Sequence, residues 1–379
     1  MLFYSAANFR FGGRGRWPAP LLVDPVANGP NSDIRALGPL SKNAYARVET
    51  SGAGSAVRRR EFIGLIGGLA AVWPAAAQAQ VSRKVWRIGH VLVGPPSVLG
   101  HFADAFEQHM LDYFPDRSFT VARRFTEAKS VDEAVRDLVP DIDVLVIWTT
   151  VGGVAAKKYA TLIPVVFLGV GAPVDVGLVQ SLNLPGGNMT GVTFEAASET
   201  YAKRLQILTE IVPNLERVAV LRTIGDPNVT FAIESVVRAA PMLRVNLQFI
   251  DIKTADELPG AFETMKSLKA QALLVISSAV IYGANKQIAE LAFTHHLPSC
   301  SPFREQAVAG GLVSLGPDAK VMVKQGADLV NKIIRGAKPS DLPVEQPARY
   351  EMFINLRSAR AFGLTLPLTL LGGADTVIE

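Results

Sequence analysis

The sequence predicts two α/β lobes, each a doubly wound parallel sheet covered by helices, joined by crossover hinges. Three observations predict it. Short strands that are apolar throughout alternate with amphipathic stretches at helical spacing, the pattern of a parallel sheet buried on both faces. That alternation halts near residue 190 and restarts, giving two βαβα units of comparable size. The 379 residues are 49% hydrophobic and 19% charged, enough for a sizeable core and, at ~100–200 residues per domain, for two domains.

The elements follow in chain order. Residues 85–93 are apolar and β-branched and form a strand, broken by Gly94-Pro95-Pro96-Ser97. Residues 98–113 carry Phe102, Ala105, Phe106, His109 and Met110 at helical spacing. A strand is expected over 120–125, a helix over 131–139 and a buried strand over 144–148, the run Val-Leu-Val-Ile-Trp. A helix over 152–159 and a strand over 165–168 complete the first unit. After Thr190-Gly191-Val192 the second unit places helices over 198–211, 229–240, 255–268 and 285–295. Its strands are expected over 218–221, 245–250, 273–276 and 312–315. A long helix over 319–334 ends near Gly336, and residues 338–346 form a Pro-containing connector. A last strand over 350–354 and a last helix over 356–362, closed by Gly363, finish the chain.

The basic charge is confined to the leader. Residues 1–79 hold nine Lys/Arg against four Asp/Glu, and the remainder holds 29 against 30. A near-neutral body without a basic cluster is a poor nucleic-acid binder. Residues 1–56 are rich in Gly, Pro, Ala, Arg and Ser without a sustained period, and are expected to be an extension translated upstream of the true start. Arg58-Arg59-Arg60-Glu61-Phe62 then opens a short apolar run that ends in Ala75-Ala76-Ala77-Gln78-Ala79. This is the layout of a signal peptide over 57–79, with cleavage after Ala79. Arg59-Arg60 with Phe62 resembles a twin-arginine export signal. The apolar run is too short for a span, which needs roughly 20 residues. The expected location is the periplasm. Cys300 is the single cysteine, which rules out an intramolecular disulfide and reads as a small buried residue.

In open α/β sheets ligands lie beyond the carboxyl ends of the strands. The candidate loops are therefore 94–97, 149–153, 169–175, 222–228, 277–282 and 301–305. They supply hydroxyls, exposed backbone and aromatic area suited to a small polar solute with an apolar or aromatic part. No G-x-G-x-x-G, P-loop or G-x-S-x-G is present, so nucleotide and serine-hydrolase chemistry are not indicated. His295-His296 reads as a helix end rather than a metal site. No cofactor is expected, and the chain is not read as an enzyme.

Certain segments resemble a known family. They are Phe167-Leu168-Gly169-Val170-Gly171-Ala172-Pro173-Val174, Gly177-Leu178-Val179 and Leu184-Pro185-Gly186-Gly187-Asn188-Met189-Thr190-Gly191-Val192. Lys203-Arg204-Leu205, the strand 217–221, Phe303-Arg304-Glu305, Ala309-Gly310-Gly311-Leu312 and the tail from Gly336-Ala337-Lys338-Pro339 to Ile354-Asn355-Leu356 add to them. Together they resemble the ABC transporter substrate-binding proteins of the tryptophan/tyrosine uptake type, which have the periplasmic binding protein type 1 fold. The resemblance runs from about residue 85 to the end of the chain. It implies capture of a small amino-acid-like solute between lobes and delivery to an ABC permease, by a protein acting as a monomer. Carried over by motif, the ligand contacts are Ser97, Thr149, Thr150, Gly171, Asp226, Asn228, Ser278 and Phe303. The ligand-facing segments 91–97, 148–151 and 222–226 depart from the usual family wording. Within them Trp148 offers a stacking face and Arg222 a carboxylate partner, although core packing and a structural ion pair suit these two residues equally.

The expected division is 80–195, with part or all of 318–379, in lobe one and 196–317 in lobe two. Hinges are expected near 191–196, 315–319 and 344–347. Two other readings use the same scaffold: a sensor's ligand-binding partner, and an exported enzyme.

Overall fold

The computed structural model describes residues 84–195 and 199–379. The extension over 1–56, the signal peptide over 57–79 and the cleavage after Ala79 lie outside the described residues, as does the end of the first expected hinge.

Lobe one is built on strands β1 (Trp86–Val93), β2 (Phe119–Thr126), β3 (Val144–Trp148), β4 (Val165–Gly171) and β5 (Met189–Glu195), in the order β2-β1-β3-β4-β5. All its pairings are parallel. Its inner strands are buried on both faces, which is why β3 reads as an unbroken apolar run. Helix α1 (Pro96–Tyr113) puts Leu99, Phe102, Phe106 and Met110 on one face of the sheet. Helices α2 (Val131–Leu138) and α3 (Thr150–Tyr159) cover the other. Each fully buried Leu, Val or Phe contributes roughly 1.5–3 kcal/mol over exposure.

Lobe two contains helices α4 (Glu199–Ile211), α5 (Asn228–Leu243), α6 (Leu258–Ser267), α7 (Ala279–Gly283), α8 (Asn285–Thr294) and α9 (Arg304–Val308). Its strands are β6 (Arg217–Thr223), β7 (Asn246–Ile252), β8 (Ala272–Val275), β9 (Ser299–Ser301) and β10 (Val313–Gly316). Helix α10 (Ala319–Ile334) then returns to lobe one and packs against α1 and β4. The chain goes back to lobe two for β11 (Glu351–Asn355), α11 (Leu356–Ala361), α12 (Leu368–Gly372) and β12 (Thr376–Ile378). The seven-stranded order is β12-β11-β10-β9-β8-β6-β7.

Two features differ from the sequence reading. Lobe two does not end at residue 317, because β11 and β12 extend its sheet; β11 runs antiparallel to β10, so this sheet is parallel except at that edge. β5 was not expected as a strand, since Met-Thr-Gly-Val-Thr-Phe-Glu lacks an apolar run. The tail bonds two of its polar groups. Thr190 Oγ1 donates to the Leu342 carbonyl at 2.8 Å, and the Thr193 amide donates to the Glu345 carbonyl at 2.9 Å.

The three passages between lobes meet at one buried ion pair. Glu195, at the end of β5, faces Arg204 of α4, and both side chains are fully buried. Arg204 Nε donates to the carbonyl of Leu315 on β10 at 2.7 Å. Its guanidinium lies 4.9 Å from the centre of the Tyr201 ring. Tyr350, entering β11, donates its hydroxyl to the Phe194 carbonyl at 3.2 Å. Burial pushes the Glu195 carboxyl up, and the Arg204 charge opposes that shift.

Removing one partner strands a charge in the core. Arg204→Met is expected to cost about 3–5 kcal/mol in urea unfolding, and the double change Glu195→Leu with Arg204→Met to recover most of the loss.

Candidate functional site

The carboxyl ends of β1, β3, β4, β6, β8 and β9 face one cavity between the lobes. From lobe one, Trp148 closes β3 and Thr149 follows as the N-cap of α3. Thr149 has φ of 72°, a left-handed conformation costly for a β-branched residue. Its hydroxyl accepts from the Gly152 amide at 3.4 Å. Thr150 Oγ1 accepts from the Gly171 amide at 3.1 Å, tying the start of α3 to the end of β4. This wall therefore brings the first turn of a ten-residue helix to the cavity, and helix N-termini favour negative charge.

Lobe two supplies acceptors. Asn228 opens α5 and is buried, with Nδ2 donating to the Tyr201 hydroxyl at 3.0 Å, the Ser277 carbonyl at 3.1 Å and Ser277 Oγ at 2.8 Å. Its Oδ1 is buried without a partner and lies against Gly171 of the opposite lobe. Asp226 beside it accepts the Asn228 amide at 3.0 Å. Burial raises the Asp226 carboxyl to about 6, against the pull of that amide. Ser278 caps α7, accepting from the Ile281 amide at 3.1 Å while pairing with Thr223 Oγ1 at 2.7 Å.

The rest of the lining is aromatic. Phe102 stacks on Trp148 with centroids 5.1 Å apart and planes at 22°. Tyr282 meets Phe303 edge-on at 4.9 Å, and Phe194 lies 5.4 Å from Phe303. Phe102 and Tyr282 approach to 6.1 Å across the cleft. No Lys, Arg or His is among the described residues lining the cavity. Among the described residues no His, Cys, Asp and Glu cluster could hold a metal, and no helix is long and apolar enough to cross a membrane.

Of the residues singled out in the sequence, Trp148, Thr149, Thr150, Gly171, Asp226, Asn228, Ser278 and Phe303 line this cavity together. Ser97 does not; it is exposed in the first turn of α1. Arg222 does not either. Its Nε donates to Asp251 Oδ1 at 2.5 Å and its guanidinium lies 4.6 Å over Phe249, both on the neighbouring strand β7. Strand register decides this, because Arg222 stands opposite Asp251. Phe102, Phe194 and Tyr282 were not singled out. Phe102 reads as part of the apolar stripe of α1, and only Tyr282 fell within a candidate loop.

Comparison with known proteins agrees with this architecture. Residues 126–378 match the sequence profile of the family described as ABC transporter substrate binding protein. A tyrosine-binding protein of Clostridioides difficile strain R20291 is 22% identical over 222 residues, 59% of this chain. That match spans 63% of the relative's length, just under two-thirds. The crystal structure of an ABC domain from Streptococcus pneumonia in complex with L-Trp superposes with a TM-score of 0.71 at 20% identity, covering 77% of this chain and 99% of that one. A conserved domain protein from Vibrio cholerae gives 0.70 at 22% identity, covering 78% and 100%.

The lobes meet closely at Gly171, since a Cβ there would stand 1.9 Å from Asn228 Oδ1. Three hydrogen bonds hold that amide, so the lobes must yield first. Gly171→Ala is expected to keep its circular dichroism spectrum while showing a larger radius of gyration in small-angle scattering.

Proposed function

The chain belongs to the ABC transporter substrate binding protein family, and from that premise we propose that its cleft captures a small zwitterionic, amino-acid-like solute with an aromatic or flat apolar side group. The family consists of solute-binding proteins rather than enzymes. The observation that carries the reading is the buried, unpartnered Oδ1 of Asn228, in a cavity that Asp226 and several aromatic rings also line. An unsatisfied buried acceptor is costly, and an ammonium group supplies the missing donors. The first turn of α3 offers backbone N–H groups to a carboxylate, with no cationic side chain nearby. The side group then lies among Trp148, Phe102, Tyr282 and Phe303. A tyrosine-binding relative and a fold neighbour holding L-Trp support the same class.

Capture proceeds by closure. The ammonium sites are on lobe two and the helix terminus and stacking wall are on lobe one, so a solute meets all of them only when the lobes approach. That difference in contact favours the closed form over the open one. Micromolar affinity needs ~8 kcal/mol, within reach of a few charge-assisted hydrogen bonds and one stacked ring after ordering costs. The closed protein, outside the cytoplasmic membrane, then delivers its solute to an ABC permease in that membrane. The signal-peptide pattern over 57–79 supports export, with the processed chain starting at Gln80.

Titration calorimetry against the common L-amino acids is expected to show micromolar binding of at least one aromatic member, and Asn228→Ala to weaken it more than tenfold. A library-wide absence of heat overturns the reading.

The Asp226 shift sets the pH dependence. Because its carboxyl is raised to about 6, the free cleft holds a neutral acid below that pH and a carboxylate above it. A cationic ammonium binds the carboxylate form, so affinity is expected to rise toward pH 7, level off above it, and fall by up to about tenfold per unit below 6. Calorimetry between pH 5 and 8 measures this, and Asp226→Asn is expected to flatten the profile.

A further inference from the structure

Behind the stacking wall, one polar contact interrupts an apolar layer. His90 on β1 is fully buried, and its Nε2 accepts from the indole Nε1–H of Trp148 at 3.0 Å. The register brings them together: His90 stands opposite Val146 on the neighbouring β3, and Trp148 is two residues further along the same face. The direction of the bond fixes the tautomer, with the ring proton on Nδ1. That Nδ1 is buried and has no partner. Burial lowers the imidazole to about 3, with the Arg123 charge adding to the effect, so the ring stays neutral and keeps its acceptor.

An orphaned N–H in a core carries a penalty that a leucine at the same position would avoid. What the histidine supplies is the lone pair on Nε2. The indole is also held by Phe102, which stacks against it. With its N–H engaged inside the lobe, Trp148 presents the cavity with aromatic surface and no free donor.

We infer that His90 is a positioning residue for solute selection: by engaging the Trp148 Nε1–H it fixes a flat, donor-free aromatic wall that favours solutes with an aromatic group over aliphatic ones. The inference rests on the amino-acid-like reading of the cleft and deepens it. His90 acts through Trp148 and does not touch the cavity itself.

The test uses the full chain and its His90→Leu, His90→Gln and Trp148→Phe variants, with His90→Leu also made in the Trp148→Phe background. The probes are L-tryptophan, L-tyrosine and L-leucine, titrated by calorimetry. The indole N–H of Trp148 is followed by hydrogen exchange in nitrogen-15 spectra. The expected result is an aromatic preference that His90→Leu narrows about fivefold to tenfold, and that His90→Gln, which restores an acceptor, substantially recovers. In the Trp148→Phe background, where the donor is gone, His90→Leu is expected to leave selectivity unchanged. The Trp148 N–H should be protected in the native chain and in His90→Gln, and should exchange rapidly in His90→Leu. If His90→Leu does not fold, His90→Val, which likewise lacks an acceptor, takes its place, with the same expectations in both backgrounds. An unchanged aromatic-to-leucine ratio in folded His90→Leu overturns the role of His90 while leaving the reading of the cleft intact. So does an equal effect of that change in both backgrounds. A native chain that binds none of the probes overturns both.

Discussion

The buried ion pair of Glu195 and Arg204 is the constraint on which the two-lobe arrangement depends. A carboxylate and a guanidinium taken out of water together must satisfy each other, because an unpaired buried charge costs several kcal/mol. Here the carboxylate ends one sheet and the guanidinium sits on the first helix of the other lobe. The same guanidinium binds the Leu315 carbonyl just before the second passage, and Tyr350 of the third passage binds the Phe194 carbonyl. Three covalent connections that could otherwise flex independently are thereby drawn to one point.

The pivot is joined to the cleft by a short run of contacts. Arg204 lies over the Tyr201 ring, the Tyr201 hydroxyl bonds Ser277 and receives the Asn228 amide, and Asn228 lines the cavity. The Asn228 side-chain amide is thus oriented from behind with both of its protons committed, which leaves only its acceptor without a partner. Polar groups buried in this way rigidify a site when their partners are complete. On the other lobe the strained Thr149 backbone and the Trp148 indole are held with similar firmness. Both walls are thus held from behind by contacts within their own lobes.

The sequence makes some of this legible and leaves the rest hidden for physical reasons. β3 and β8 are visible because a strand buried on both faces has no polar alternation to conceal it. β5 is hidden because Thr190 Oγ1 and the Thr193 main-chain N–H are bonded by the tail at residues 342–345, a partner distant in the chain. β9 and β12 are three residues each, too short to show a period, and the five-residue α7 and α9 likewise read as loop. For the cavity, strand ends marked the loops, and the family resemblance picked out Thr149, Asp226, Asn228 and Ser278 within them. Arg222 was misplaced because its direction depends on the register between β6 and β7, which the local sequence does not display. Phe102 escaped notice because a helix residue facing its own sheet and one facing the cleft have the same spacing.

The route of the tail has a consequence for how the molecule is assembled during synthesis. Helix α10 covers lobe one and β11 with β12 extends the sheet of lobe two, so each half borrows from the last stretch of chain. A nascent polypeptide that has reached residue 318 has therefore finished neither half. Its exposed apolar faces must wait for the same late segment, and the two halves gain their final stability together. Whatever guards the emerging chain has to remain bound until nearly the whole sequence is available, which ties folding to the completion of translation rather than to its progress.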